Sequence, residues 1–278
     1  MKHHIERNTV QETLVIPLLA RKVCSERYPA LFSDPEAERL CSLLDYDFAS
    51  REKKMRGTMG LFGALEVAQR QYDLLWEVRD YLRAHPEAAV VNLGCGLDDA
   101  FGKADNGMCR GYNIDLPDVI ALRNELLPAR EREENIGCDL NDFSWMERID
   151  GAKGAVFFAA GVFCYFKTED ARRLFSELAR RFSGGVLAFD SCNRRGAKMM
   201  TKTWLKEAGI RGVDALFSLE EPESLRAWSA DFASVTSRSY MRGYRDISGE
   251  LGLVHRLMLR FCDSAVNMRI VKIKFGED

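Results

Sequence analysis

The stretch Val90-Val91-Asn92-Leu93-Gly94-Cys95-Gly96-Leu97-Asp98 decides the fold. Its apolar first half predicts a short, buried β-strand that runs directly into a Gly-x-Gly loop. Glycine lets the backbone turn tightly there and approach a ligand without a clash from a Cβ atom. Because ligands of open α/β sheets bind beyond the carboxyl ends of the strands, the loop predicts a ligand site at that edge.

Apolar runs alternate with helical segments after this strand. Strands are predicted at 88–93, 111–114, 135–138, 155–159 and 186–189, and a helix at 168–182. Such alternation is typical of βαβ units around a parallel sheet. The predicted fold class is therefore α/β, with a Rossmann-like sheet.

The flanking segments have other patterns. Helices are predicted at 10–25, 34–45 and 60–84, and Ser33-Asp34-Pro35-Glu36 has the cap and the proline of a helix start. Later helices are predicted at 195–208, 222–230 and 248–261, with strands at 234–241 and 268–275, the last near a sheet edge. We expect a single domain over 1–278, with a helical cap (1–85), a ligand-binding core (86–190) and a substrate-side region (191–278).

The residues after the loop indicate the charge of the ligand. The dinucleotide fingerprint Gly-x-Gly-x-x-Gly needs a third glycine, and Asp99 occupies that position. The acidic pair Asp98-Asp99 would repel a phosphate at a helix N-terminus. A cationic nucleoside such as S-adenosylmethionine, which carries a sulfonium and no phosphate, fits these charges better than NAD.

Two further acids follow predicted strands. Asp115 comes about 20 residues after the loop, where an acid can accept hydrogen bonds from ribose hydroxyls. Asp139 follows the next strand and could accept one from an adenine amino group. Each acid alone could instead cap a helix, and Asp139, Asn141 and Asp142 are typical of caps rather than of a metal site.

Composition excludes several classes of protein. The chain has 278 residues, 46% hydrophobic and 29% charged, with a net charge of −2, so no basic surplus predicts binding to nucleic acid. The longest apolar stretch, 155–166, is shorter than the roughly 20 residues of a membrane span. Eight cysteines without a Cys-x-x-Cys pair, and no apolar signal segment, predict a reduced, cytoplasmic protein without a metal.

Several motifs together resemble the leucine carboxyl methyltransferase family, and within it the bacterial branch similar to a tetracenomycin polyketide O-methyltransferase. The resemblance covers about residues 13 to 187. Its motifs are Pro17-Leu18-Leu19-Ala20-Arg21, Leu31-Phe32-Ser33-Asp34-Pro35-Glu36-Ala37, the loop quoted above, Ile114-Asp115-Leu116-Pro117-Asp118-Val119, Cys138-Asp139-Leu140 and Ala160-Gly161-Val162-Phe163-Cys164-Tyr165-Phe166.

The resemblance implies a class I methyltransferase sheet with an N-terminal helical cap, and S-adenosylmethionine as cofactor with S-adenosylhomocysteine as product. An arginine of the last cap helix would meet the cofactor carboxylate; Arg70 is the candidate, and a solvated helix charge is the alternative. Arg21 and Lys22 are weaker candidates. The other implied contacts are the loop Gly94, Cys95 and Gly96 with the amino-acid part, Asp115 and Leu116 with the ribose, Asp139 and Leu140 with the adenine, and Ala160 beside them.

Two positions depart from the family pattern. Ala160 stands where many members have glutamate, and Asp99 follows Asp98 where many have threonine and then arginine. These differences are compatible with the predicted cofactor site and concern the acceptor side. The acceptors of family members therefore cannot be transferred to this chain.

The sequence carries fewer signals for the acceptor and the catalytic groups than for the cofactor. A carboxylate acceptor is already ionised, whereas a hydroxyl benefits from a base. Tyr165 is the catalytic candidate, while His255 lies in a helical pattern typical of a packed side chain. Aromatic residues at 161–166, with Tyr240 and Tyr244, could form a wall for a flat, small-molecule acceptor, although Phe163 is more typical of the core.

Two alternatives remain open at this point. A non-catalytic protein that binds S-adenosylmethionine is favoured by Ala160. An NAD(P)-dependent oxidoreductase would need a third glycine or an arginine for phosphate near the loop, and neither is present. The oligomeric state has no signal in the sequence.

Overall fold

The computed structural model describes residues 3–5, 10–200 and 217–277. Its first part contains four helices and a two-residue parallel strand pair, and the three predicted helices are confirmed. The elements are β1 (His3–His4), α1 (Val10–Arg27), α2 (Pro35–Leu43), β2 (Leu44–Asp45), α3 (Phe48–Met55) and α4 (Thr58–Ala84). Helix α3 was not predicted, because none of its side chains is buried and it carries no apolar stripe.

A seven-stranded sheet forms the centre of the molecule. Its strands are β3 (Ala89–Leu93), β4 (Arg110–Asp115), β5 (Glu133–Gly137), β6 (Ala155–Ala159), β7 (Val186–Ser191), β8 (Phe232–Ser239) and β9 (Arg269–Phe275). The spatial order is β5-β4-β3-β6-β7-β9-β8; the first five strands are parallel, and β9 is antiparallel to both of its neighbours. All predicted strands are present, and β9 lies one strand from the edge.

The remaining helices connect and cover these strands. They are α5 (Ala100–Ala104), α6 (Pro117–Leu126), α7 (Thr168–Arg181), α8 (Arg194–Met200) and α9 (Leu253–Ala265). Helix α8 matches the start of the helix predicted at 195–208, and positions 201–208 of that prediction lie outside the described residues. The helix predicted at 222–230 is present as a shorter 3₁₀ helix over Pro222–Ala227.

Side chains alternate between the two faces of the sheet. On β7, Leu187 and Phe189 pack in the core that contains Leu174 and Phe175 of α7. The alternate residues of the strand, Val186 and Ala188, pack in the core that contains α4. Since successive side chains of a strand point to opposite faces, the next residue, Asp190, faces α4.

Helix α4 runs antiparallel to the strands it covers. Near its end, the Tyr81 hydroxyl accepts a hydrogen bond from the backbone of Ala155, at the start of β6, at 3.2 Å. Eleven residues earlier, Arg70 contacts Asp190 near the end of β7 at 3.1 Å. Eleven helical residues span about 16 Å, the length of these strands, so the first turns of α4 extend beyond the carboxyl ends of the sheet.

Among the described helices, none combines the length and the apolar character needed to cross a membrane.

Candidate functional site

The glycine loop lies at the carboxyl edge of the sheet, between two strand ends. Leu93 is in register with Ile114 of β4 and with Ala159 of β6. The backbone N–H groups of Gly94 and Cys95 both donate to the Ile114 carbonyl, at 2.8 and 3.0 Å. The loop therefore turns across the end of β4 directly after its own strand, as predicted.

Both loop glycines have left-handed backbones. Gly94 has φ +66° and Gly96 has φ +49°, a region that other residues rarely adopt. A Cβ atom on Gly94 would lie 2.4 Å from Cγ2 of Val162, in the turn after β6. Glycine is needed here for both backbone conformation and close packing.

Asp115, at the end of β4, is hydrogen-bonded to the glycine loop. One carboxylate oxygen accepts the Gly96 N–H at 2.7 Å, and the other accepts the Leu116 N–H at 2.8 Å. Burial raises the pKa of the Asp115 carboxyl above its usual range, although the two N–H donors act in the opposite direction. The acid predicted to contact ribose thus lies next to the loop predicted to hold the same ligand.

Arg123 of α6 holds the other side of the loop. Its side chain is fully buried, and one guanidinium nitrogen donates to the carbonyls of Gly96 and Asp98 at 2.9 and 2.8 Å. Sequence reasoning missed this residue, since an arginine inside a helix gives no local sign that it folds back onto a loop. The loop conformation is thus fixed from both sides by hydrogen bonds.

The two acids after the loop are used inside the protein, contrary to their interpretation as a counter-charge for a ligand. Asp99 caps α5 and pairs with Arg130 at 2.7 Å. Asp98 accepts from Gln71 and lies near Arg21 and Lys103. Burial alone would raise the pKa of Asp98, but these cations hold it below its usual range. Neither acid therefore provides an unpaired counter-charge for a cationic ligand.

A buried ionic network joins the first helices to this loop. Asp34, the N-cap of α2, accepts from Arg21 at 2.8 Å and from Lys103 at 2.6 Å. Arg21 also donates to the Leu97 carbonyl at 3.1 Å. Lys22 instead pairs with acids of α1 and α3, at 3.0 Å for Glu52. Of the two weaker candidates, only Arg21 lies at the loop.

The next strand end carries Asp139 and Leu140. Asp115 and Gly137 are in register, and the Cys138 N–H donates to the Asp115 carbonyl at 2.8 Å. Asp139 is exposed and accepts the Asn141 N–H at 2.9 Å. The cap of the following 3₁₀ turn, Phe143–Arg148, is Asp142, so capping that turn is not the role of Asp139.

Arg70 lies at the opposite side of the loop, beside the ends of β6 and β7. Its side chain is only 18% exposed and pairs with Asp190, so a solvated helix charge is the wrong description. Within the described residues, its buried Nε atom has no hydrogen-bond partner. A Cβ atom on Gly161 (φ +70°) would lie 2.6 Å from the guanidinium. The arginine therefore packs directly against the turn that follows Ala160.

Sequence reasoning also missed Asp190. Its carboxylate accepts the Gly161 N–H at 2.6 Å and Arg70 Nη1 at 3.1 Å. The signal was available, because Asp190 follows an apolar run just as Asp115 and Asp139 do. The strand predicted from the sequence ends at position 189, one residue before this acid.

The aromatic residues predicted to form a wall lie in different surroundings. Tyr165 is 42% exposed beside the turn, whereas Phe163 is buried in the core, with edge-to-face contacts to the rings of Phe175 and Phe189. Tyr240 is wrong as an exposed lining residue: it is buried and donates to the backbone of α4 at Glu66.

Two other candidates, Tyr244 for the wall and His255 for a base, lie away from the strand ends. Tyr244 is not part of the wall either, since it donates to Glu77, almost two turns beyond Arg70 on α4, at 2.6 Å. His255 is hydrogen-bonded to the Thr58 carbonyl at 2.9 Å and packs near Phe62, as expected of a packed side chain.

Comparison with known proteins agrees with this geometry. A model of the leucine carboxyl methyltransferase family matches residues 15–179, more than half of the chain. The chain is 29% identical over 192 residues to the tetracenomycin polyketide synthesis O-methyltransferase of Streptomyces glaucescens, covering 69% of each protein.

Solved structures show the same fold at low sequence identity. A protein of Thermobifida fusca YX assigned as a methyltransferase has a TM-score of 0.58 at 15% identity, covering 97% of this chain and 96% of that one. A plantazolicin methyltransferase, solved with a triazolic analog and S-adenosylhomocysteine, has a TM-score of 0.52 at 15% identity, covering 96% and 100%. The class I methyltransferase fold is thus confirmed, and no argument for an oxidoreductase remains. The chain belongs to the leucine carboxyl methyltransferase family and is an S-adenosylmethionine-dependent methyltransferase.

Proposed function

We propose that the protein transfers a methyl group from S-adenosylmethionine to an oxygen of a small-molecule acceptor and releases S-adenosylhomocysteine. The observation that carries the proposal is the convergence at one sheet edge of the glycine loop, Asp115 and Arg70. In open α/β sheets this edge is where ligands bind. The similar proteins of known name act as methyltransferases, and two are named for natural products.

The residues at this edge suit the parts of the cofactor. Asp115 would accept the ribose hydroxyls, and Leu116, 38% exposed at the strand end, offers an apolar surface beside them. Asp139 would accept from the adenine amino group, with Leu140 beneath it. Gly94, Cys95, Gly96 and Ala160 would leave room for the amino-acid part.

Arg70 would bind the cofactor carboxylate. Its unpaired, buried Nε is an observation that favours a ligand, because buried polar atoms normally have partners. A guanidinium presents five donors in a fixed fork, so pairing with Asp190 leaves donors for a second carboxylate.

When bound, the cofactor would supply a methyl group activated by its positive sulfur, with the neutral thioether as leaving group. The protein then chiefly contributes proximity and orientation of the acceptor oxygen. Partial burial near Cys164 raises the pKa of Tyr165 to about 12. Its phenol therefore stays protonated at neutral pH and would donate a hydrogen bond to the acceptor rather than act as a base. Hydroxyl and carboxyl acceptors are both compatible with such a donor.

We further propose that the whole chain acts as one catalytic unit in the cytoplasm. Residues 1–85 would cover the cofactor, since the Asp34 network fastens these helices to the loop. The cysteines described are all free, which suits a reducing compartment. Binding to nucleic acid is not expected from a net charge of −2.

The test is methylation with S-adenosylmethionine that carries a trideuterated methyl group. The protein is incubated with aromatic hydroxy acids, such as 1-hydroxy-2-naphthoic acid, that offer both oxygens. Mass spectrometry of fragments separates a methyl ether from a methyl ester. The proposal expects label in one of these products. Tight binding of S-adenosylhomocysteine with no label transferred to any acceptor would instead favour the non-catalytic alternative.

A further inference from the structure

Asp190 stands at the one point where β7, the turn after β6 and helix α4 meet. Its side chain faces α4 because the alternation along β7 places Val186 and Ala188 on that face. The register Ala159 with Phe189 sets Asp190 beside Ala160. No other described carboxylate contacts both Arg70 and the turn.

The two carboxylate oxygens have different partners. Oδ1 accepts the Gly161 N–H at 2.6 Å, and Oδ2 accepts Arg70 Nη1 at 3.1 Å. The side chains of Asp190 and Arg70 are 20% and 18% exposed, so the pair is largely withdrawn from water. Charge-assisted hydrogen bonds in such surroundings are stronger and more directional than those on the surface.

This geometry leaves one donor of the Arg70 guanidinium without a hydrogen-bond partner. Nη1 is directed to Asp190, whereas the buried Nε has no partner within the described residues. The guanidinium is planar, so holding one nitrogen and packing the plane against Gly161 fixes where the others point.

We infer that Asp190 is a positioning residue: it orients the Arg70 guanidinium and holds the turn at Gly161, so that Arg70 recognises the carboxylate of the cofactor. The inference rests on the proposed role of Arg70 in binding that carboxylate. Asp190 itself does not contact the cofactor in this account. Its removal should weaken recognition of the amino-acid part of the ligand and leave the nucleoside part unaffected.

The test compares two ligands by calorimetry. S-adenosylhomocysteine carries the amino-acid part, and 5′-methylthioadenosine lacks it. For wild type, Arg70→Ala, Asp190→Asn and the double variant, both dissociation constants are measured. We expect Arg70→Ala and Asp190→Asn each to weaken S-adenosylhomocysteine binding about 10- to 100-fold, the loss typical of a hydrogen bond to a charged group. Binding of 5′-methylthioadenosine should change by less than about twofold.

The double variant tests the coupling. If Asp190 acts through Arg70, the double variant binds S-adenosylhomocysteine no more weakly than Arg70→Ala alone. A merely structural role predicts additive losses that affect both ligands alike. Asp190→Asn keeps an oxygen for the Gly161 N–H, so the variant retains that contact.

Glu77→Gln is the matched control. Glu77 also joins α4 to the sheet through a buried ion pair, with Lys272 at 2.6 Å, but in the middle of the strands, since Lys272 is in register with Ala188. This variant should lower the melting temperature without changing the ratio of the two dissociation constants. It separates a loss of helix docking from a loss of ligand recognition.

The outcomes distinguish the two claims. If Asp190→Asn binds S-adenosylhomocysteine as tightly as wild type while Arg70→Ala does not, the role of Asp190 is overturned and that of Arg70 stands. If Arg70→Ala retains wild-type binding, or loses both ligands equally, the assignment of Arg70 fails and the inference fails with it. If wild type binds neither ligand, the proposed function fails.

Discussion

At the scale of single residues, Asp115 has two tasks, since it holds the glycine loop and would accept the ribose hydroxyls. We predict that Asp115→Ala weakens S-adenosylhomocysteine binding by ~1–3 kcal/mol, because partnered polar groups lose their acceptor. Calorimetry measures the change. Asp118→Ala is the control, an exposed acid of the same segment, and should bind as wild type does. Equal affinity of Asp115→Ala and wild type would refute the assignment.

Gly94 allows a second prediction at this scale. Gly94→Ala should lower the free energy of unfolding more than Gly107→Ala does. Both glycines have positive φ, at +66° and +84°, where a Cβ costs ~1–2 kcal/mol. Only at Gly94 would that atom also meet Val162, whereas nothing lies within 4 Å at Gly107. Urea denaturation of both variants compares them, and equal losses would show that the contact with Val162 relaxes freely.

At the scale of elements, local patterns predicted most of the sheet and the long helices, because apolar periodicity reports which face is buried. They did not predict α3, whose apolar residues Phe48 and Met55 are only partly buried, or the 3₁₀ form of the helix at Pro222–Ala227. They also could not give the placement of β9 between β7 and β8, since strand order depends on contacts that are distant in sequence.

The docking of the first helices depends on Asp34. We predict that Asp34→Ala lowers the free energy of unfolding by ~3–5 kcal/mol, because Arg21 and Lys103 lose a buried partner and α2 loses its cap. Asp47→Ala is the control, since Asp47 caps α3 near the surface without a buried cation. It should cost only ~0.5–2 kcal/mol in the same urea titration. Similar losses for both variants would mean that the ionic network adds no stability.

At the scale of the whole molecule, the sequence predicted the site residues that directly follow strands. It did not predict those that reach the site from helices. Asp115, Asp139 and the glycines were found because each follows an apolar run. Arg123 and Gln71 reach the loop from helices, and their contacts depend on how those helices pack. The same packing gives Asp98 and Asp99 a different role from the predicted one. Their charges are compensated inside the protein and not by a ligand.

The free energy of unfolding should depend on pH because of one buried acid on α4, Asp73. Burial raises the pKa of Asp73 from 3.8 to about 7, although Gln69 and the Met241 N–H donate to it. Between these values the native state keeps a proton that the unfolded chain loses. The associated stability is therefore complete below about pH 4 and lost as pH rises through about 7.

Asp73→Asn removes this dependence and keeps an oxygen for one of the two donors, Gln69 and the Met241 N–H, which bond to different carboxylate oxygens. Relative to wild type, the variant should gain up to about 4 kcal/mol of unfolding free energy between pH 4 and pH 8, since each pKa unit corresponds to about 1.4 kcal/mol. Urea titrations across that range measure the difference. A difference that stays constant with pH would show that Asp73 is ionised in the native protein throughout.

The most direct test of the central claim is a thermal-shift titration of the wild-type protein with S-adenosylmethionine, S-adenosylhomocysteine and NAD in parallel. A ligand that binds only the native state raises the melting temperature with its concentration. We predict a rise with both adenosyl ligands and none with NAD. A rise with NAD alone, or no rise with any of the three, would contradict the account.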